Sequence, residues 1–595
     1  MVAAKVKMNA NGAHTFLEVR PLIVIDRGHE HFLDRSSAIW NGRPSAFHLL
    51  WFSLRVGCLR VFVIGRGCNS QCIDWNEYWH VSTFLLAAVF VDLPLLDAAC
   101  MLLPIGIAVY VLVGGLRATF VCDWAHTVIL FVIIYIFIFR SYGTSDATAG
   151  LSGLYDLLQD AAVSVPVDGN QNGSYLTMKS NQGLVFGAAT ILSGFSGIFC
   201  DQGYWQRAIA SHPTSTTKAY TLGGLSWFAV PFAFASCLGL AARALETNPA
   251  FPTYPNPLSA AQTSAGLAAP AAATVIMGKG GAVAVLLVVF MAVTSAASAE
   301  LIGISSLFSY ETYFRPNAKG PEIVRISHYF ICFWAVWMGC WAVILNKAGV
   351  DLGWLFYVQG VVLSPAVIPI GLTVAWRKLN KPAVILGPVI GAVLGMMAWM
   401  IGCWKIYGSI TITNLAQPYS AVCSGLTGLL FSGIITISLS LIWPANYDFK
   451  GTRAIANLDS DVGPENSSVA ASESASEKDK KDIETCVVDT PITNPEDGVR
   501  LADGTIVSRD ILKSGFKRAA VYSSALTAIV TIIVPLPMFF SHYVYSKSFY
   551  MFWISISIIW VLLSGFFSVL LPVWESRTEI VQIVNGALKT VSGRK

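Results

Sequence analysis

From residue 98 onward the sequence is a succession of apolar runs. They lie near 98–115, 126–141, 183–200, 219–243, 281–309, 324–346, 354–376, 382–404, 421–443, 520–541 and 549–572. Most reach the 18 or so residues that a helix needs to cross a bilayer. In hydrocarbon every backbone N–H and C=O has to find its partner within the chain, which leaves helices and closed barrels as the spanning structures. Runs of this length rise at helical pitch across the membrane, so the pattern predicts an all-α polytopic membrane protein with about 11 recognisable transmembrane helices. A hydrophobic fraction of 54%, a charged fraction of 12% and a mean hydropathy of +0.60 exclude a soluble globular chain of this length.

The remaining composition narrows the class further. A net charge of +4 spread over 595 residues supplies no basic patch, so no nucleic-acid partner is expected. Twelve cysteines without framework spacing do not describe a disulfide-stapled secreted protein. No HExxH, GxSxG, GxxxxGK or paired CxxC occurs, so the chain is not expected to be an enzyme. No cofactor is called for.

Residues 1–97 lack the regularity of the rest, mixing His29, His31, His48, His80, Cys58, Cys68 and Cys72 with short apolar runs. Cys68 and Cys72 without a second pair do not make a metal site. No apolar run follows Met1, so no cleavable leader is expected. Residues 98–445 carry the core helices, and 446–519 form a Ser-, acid- and Lys-rich cytoplasmic loop, expected to be disordered. Two further spans occupy 520–573, and 574–595 is a cytoplasmic tail. Arg117, Arg207, Lys218, Arg315, Lys319, Arg377, Lys378 and Lys381 fall on alternate loops, together with Arg577, Lys589 and Arg594 of the tail. The excess of Lys and Arg assigns that side to the cytoplasm. The sequon Asn172-Gly173-Ser174 falls on the opposite side, in agreement.

Polar groups at membrane depth are sparse, which is the footprint of a transporter. The run 183–200 holds Gly183, Gly187, Gly194 and Gly197, and interrupted spans of this kind mark places where backbone unwinds toward a ligand. Close helix packing through small residues is the competing reading for each glycine. A polar cluster follows, with Asp201, Gln202, Tyr204, Trp205, Gln206 and Arg207. Asp201 and Arg207 are candidates for a gating ion pair, and Gln202 and Trp205 are either gate residues or an interfacial anchor. Asp123 and His126 occupy a matching cytoplasmic junction. In the run 281–309, Thr294, Ser295 and Ser298 offer hydroxyls suited to a hard cation, unless they bond back to their own helix. Glu300 is an ionisable group at membrane depth, to be read as a proton or cation ligand or as one half of a structural pair.

The strings GGLRATFVCDWAHT, GSYLTMKSNQGLVFGAATILSGFSGIFCDQGYWQRAIASHP, LGGLSWFAVPFAFASCLGLAARAL and FMAVTSAASAELIGISSLFSYETY resemble the sodium/solute symporter family, most closely its urea-transporting branch. The likeness covers roughly residues 98–445. It implies a five-plus-five inverted-repeat (LeuT-like) core with a substrate held at mid-membrane between broken helices. It implies secondary active transport of urea, a small neutral solute, by proton or sodium symport across the plasma membrane. A polyamine, proline or sugar symporter and a non-transporting remnant are the alternatives. The stretch 181–200 becomes the sixth core helix, with Gly194, Ser196 and Gly197 at its break and Trp227 and Phe228 as walls. Family sodium ligands carry over to Ala292 and Ser295; a second hydroxyl often follows the Ser in the family, and Ala296 stands there, which fits proton coupling better. AHTFLEV at Ala13–Val19 resembles the end of the second core helix, so the core is expected to be N-terminally incomplete. Reading the codons of Cys68–Tyr78 one nucleotide later permits A-T-V-N-A-L-T-G-M, and we expect a gene-model error across 1–97.

Overall fold

The computed structural model describes residues 93–211, 215–259, 262, 263, 266–309, 320–348, 350, 352–447, 449, 498–500, 506–578, 580 and 581. The expectations for the first 92 residues, for most of the loop at 446–519 and for the end of the tail lie outside the described residues.

Among the described residues, ten helices are long and apolar enough to cross a membrane, and one shorter apolar helix joins them. Together they match all eleven runs read from the sequence. In chain order they are α1 (Cys100–Leu116), α2 (Ala118–Thr144), the amphipathic α3 (Gly150–Ser164), α4 (Asn181–Cys200), the short α5 (Gln202–Ala210) and α6 (Thr216–Ala244). There follow α7 (Ala268–Leu307), α8 (Gly320–Lys347), α9 (Leu352–Ala375), α10 (Lys381–Tyr407), α11 (Pro418–Ile442), α12 (Arg509–Phe540) and α13 (Lys547–Glu575). A small antiparallel pair, β1 (Gly498–Arg500) with β2 (Ile506–Ser508), precedes α12.

The breaks between helices have local causes. Gly115 has φ 53° and ψ −152° and separates α1 from α2; Gly278 has φ 61° and ψ −147° and bends α7 after its first turns. Only glycine adopts such angles without strain. The bend at Gly278 explains why the apolar run reads as starting near 281, although the helix extends back to Ala268. At the other end of the chain, α12 begins at Arg509 instead of near 520. Ser508 caps it by accepting from Asp510 N–H, and its first turns are too polar for a hydropathy reading to count them.

The helices pack in two groups. In the first, α4, α9, α10 and α11 form a tight bundle. A Cβ on Gly391 would come within 2.8 Å of Gly428 O, and one on Gly428 within 2.9 Å of the Pro365 ring, so glycine is what lets these backbones approach. Ser364 and Ser432 donate across the same seam, to Gly425 O at 2.9 Å and Pro365 O at 2.5 Å. The second group gathers α1, α2, α7 and α8, and α6 packs on α3, α7 and α13. Helix α5 leaves α4 and packs against α7, so it joins the two groups.

Candidate functional site

The chain leaves its helical course at Asp201, where φ is −83° and ψ 117°. This residue ends α4 and caps α5: its Oδ1 accepts from Gly203 N–H at 2.6 Å, satisfying one of the open donors of the new helix. The expected break at Gly194–Gly197 is not there. Helix α4 runs unbroken through all four of its glycines, because in an apolar surrounding the helical hydrogen bonds of those residues have no substitute.

Asp201 and Glu300 are both buried, 6% and 3% exposed, and Glu300 acts on the Asp201 carboxyl across the contact between α5's cap and α7. Burial raises Asp201 above the ordinary carboxylate value, against the opposing pull of the Glu300 hydrogen bond, the Gly203 N–H and the Arg207 charge. The backbones are close here as well, since a Cβ on Gly303 of α7 would lie 3.1 Å from Gly203 N. Gln202 is buried beside this contact.

Arg207 does not pair with Asp201. Its Nη2 donates to Asp123 Oδ2 of α2 at 2.6 Å. Six helical residues separate Arg207 from Asp201, a rotation of roughly 240° at 3.6 residues per turn, so the two side chains leave α5 on different faces. Ser295 Oγ of α7 donates to the other oxygen of the same carboxylate at 2.5 Å. Asp123 therefore ties three helices together, with α2 supplying the carboxylate, α5 the guanidinium and α7 the hydroxyl. Sequence reasoning places Asp123 only at a junction. The available signal is an ionisable residue close to the polar end of an otherwise apolar span.

The other candidates on α7 divide by what they face. Thr294 Oγ1 donates to Phe290 O and Met291 O at 3.0 Å, and Ser298 Oγ donates to Ser295 O at 2.7 Å, so both hydroxyls turn back to their own helix. The carbonyl of Thr294 accepts from Tyr110 OH at 3.0 Å, which ties α1 to α7. Ala292 lies one turn before Ser295, half-buried, with only a backbone carbonyl to offer. Cys122 Sγ and His126 Nε2, on α2 beside Asp123, are 3.5 Å apart.

The candidate lining residues are spread out. Gly194 is exposed, and a Cβ added there would meet no atom within 4 Å, whereas Ser196 and Gly197 belong to the buried face of α4 that packs on α9. Ser196 Oγ donates to Leu192 O at 2.6 Å. Trp227 is exposed, and Phe228 stacks on Phe232 and meets Trp560 of α13 edge-on, so this wall packs toward α13. Trp205 is no interfacial anchor: it is 5% exposed, packs with Cys200, Leu307 and Leu363, and donates from Nε1 to Phe199 O at 3.0 Å.

With this geometry in hand, residues 82–391 match the family described as Sodium:solute symporter family. The chain belongs to the sodium:solute symporter family. It is 34% identical to the "Urea active transporter" of Saccharomyces cerevisiae, over 89% of this chain and 77% of that protein. It is 34% identical to the "Probable urea active transporter 3" of Schizosaccharomyces pombe, over 99% of this chain and 79% of that one. A "Urea-proton symporter DUR3" of Oryza sativa subsp. japonica is 40% identical over 60% of this chain and 51% of its own length. The symporter is thus a multi-pass membrane protein whose polar junction joins α2, α5 and α7.

Proposed function

We propose that this symporter moves urea across the plasma membrane, coupled to the inward flow of protons. The substrate rests on the likeness to relatives named as urea active transporters over most of both chains. Urea is neutral, planar and rich in donors and acceptors, and it suits a site of aromatic walls and fixed backbone groups. Within an inverted-repeat core, the lining we propose draws on Gly194 and Trp227, which are exposed, since Ser196 and Gly197 pack on α9 and Phe228 packs toward α13.

The observation that carries the coupling is the meeting of Asp123, Arg207 and Ser295 at the joint of α2, α5 and α7. Proton rather than sodium is favoured by the donor set. A sodium ion takes several oxygen ligands, but the Thr294 and Ser298 hydroxyls bond to their own helix and position 296 is alanine. What the junction does offer is carboxyl groups, namely Asp123 and the buried pair Asp201 and Glu300. Two neighbouring buried carboxyls disfavour double ionisation, which suits such a pair to carrying an exchangeable proton. Proton exchange at this pair, with Arg207 released from or returned to Asp123, is the coupling step we propose.

Uptake of radiolabelled urea by cells that lack a urea transporter of their own tests the reading. Expression of this chain is expected to confer uptake that a protonophore abolishes and that replacement of sodium by choline leaves unchanged. Sodium-dependent uptake would transfer the coupling to a sodium site. Uptake of a polyamine, proline or a sugar in preference to urea would overturn the substrate assignment.

A further inference from the structure

The loop that connects α3 to α4 is closely pinned. Within it, Val167 N–H donates to Gly173 O at 3.1 Å and Gln171 N–H to Lys179 O at 2.9 Å. It is then fastened to the link between α12 and α13. Tyr545 N–H donates to Leu176 O at 2.7 Å, Thr177 Oγ1 to Tyr543 O at 2.8 Å, and His542 Nδ1 lies 3.0 Å from Gln171 Oε1. Asn172 stands at the tip of this loop, exposed, with φ 54°. Its Oδ1 accepts from Gln171 Nε2 at 3.4 Å, and its Nδ2 donates no hydrogen bond among the described residues.

We propose that Asn172 is N-glycosylated. Asn172-Gly173-Ser174 is the acceptor motif, and four observations beyond the motif fit it. The amide nitrogen that must form the bond is exposed and uncommitted. The loop lies at the end of α4 opposite to Asp201 and Arg207, so if the Lys- and Arg-rich side is cytoplasmic this tip faces the lumen of the secretory pathway and then the outside. The neighbouring Gly173 is fixed by packing, since a Cβ there would approach Pro166 Cβ to 2.7 Å. The tip also projects from the joint that the loop forms on folding, so a glycan there displaces none of its backbone hydrogen bonds. The donor is an oligosaccharide linked to a lipid pyrophosphate. Nδ2 attacks its anomeric carbon and loses a proton, the C–O bond breaks, and the lipid pyrophosphate leaves with the electron pair.

The geometry also sets the timing. Ser174 is buried in the folded loop and its Oγ accepts from Leu176 N–H at 3.0 Å. The hydroxyl that the transfer reaction reads is therefore committed once the loop closes onto the α12–α13 link, so the glycan is added before that closure. Asn172 has a second reason to be asparagine, because that residue tolerates a positive φ better than most. N172G keeps the backbone conformation and removes the acceptor, which separates the two reasons. A second motif, Asn466-Ser467-Ser468, falls in the loop assigned to the cytoplasm and serves as an internal control.

The test is gel mobility of the full-length, epitope-tagged protein from eukaryotic membranes before and after digestion with a peptide N-glycosidase. The wild type and N466Q are expected to shift by one glycan, and N172G and S174A not at all. A wild type that does not shift, or a shift that survives N172G, overturns the proposal. A shift lost in N466Q alone overturns the orientation and the proposal together. The readout involves no solute, so it stands or falls separately from urea transport.

Discussion

The seam of α9, α10 and α11 and the junction of α2, α5 and α7 solve the same problem, helix association in an apolar medium, by opposite means. The seam removes side chains: Gly391 and Gly428 let backbone meet backbone, and the serines there donate to carbonyls without any ionisable group. The junction inserts charge: Asp123, Arg207, Asp201 and Glu300 meet where α5 crosses from one group of helices to the other. Small-residue contact has one good arrangement. A set of carboxyls, a guanidinium and a hydroxyl has several, according to where the proton sits, and a transporter needs at least two. Under the proposed coupling, stability belongs to the seam and alternation to the junction.

That division is open to direct attack. The largest effect is expected for D123A, which strands Arg207 and Ser295: gradient-driven uptake should fall at least about 100-fold, about 2.7 kcal/mol in transition-state terms, while purification yield stays near wild type. A variant that loses yield in proportion to uptake would make the junction structural. G428V should do the reverse. Overpacking the seam is expected to cost about 1–3 kcal/mol, visible as a lower melting temperature in detergent with uptake per folded molecule preserved.

A third test concerns pH. Asp201 has its carboxyl raised by burial, so the contribution of its pair to stability is present at acid pH and is lost as the pH climbs through the raised value. Melting temperature should therefore fall with rising pH in wild type, and D201N, which keeps a capping oxygen and removes the titrating carboxyl, should flatten that slope. A slope unchanged in D201N would show that Asp201 does not titrate. The smallest effect is expected for G194A. Because α4 is helical there and a Cβ has open space, alanine should stabilise by about 0.5–1 kcal/mol in a thermal melt. Destabilisation would revive the idea of unwound backbone at that point.

Much of the fold is legible in the sequence because spanning length is a one-dimensional property: all eleven apolar runs correspond to helices. The helix break is legible too, but in other letters than the glycines. Glycine lowers the cost of leaving the helix and does not force it, whereas Asp201 followed by a polar turn supplies the cap that makes a new start favourable. Ser295 and Glu300 stand out by their depth in α7, yet their partners do not, because Asp123 and Asp201 lie far away in sequence and the pairing is set by how α5 crosses α7. Thr294 and Ser298 show the limit of reading hydroxyls as ligands, since a hydroxyl on a helix has a carbonyl of its own helix within reach.

The central claim is that Asp123, joined to Ser295 and Arg207, couples the ion gradient to solute movement. Proteoliposomes of purified wild type and D123N should be compared for two activities: exchange of labelled for unlabelled urea at equal concentrations without a gradient, and accumulation of labelled urea driven by a proton gradient. We predict that D123N retains exchange and loses accumulation. A D123N protein that still concentrates urea as wild type does would contradict the account.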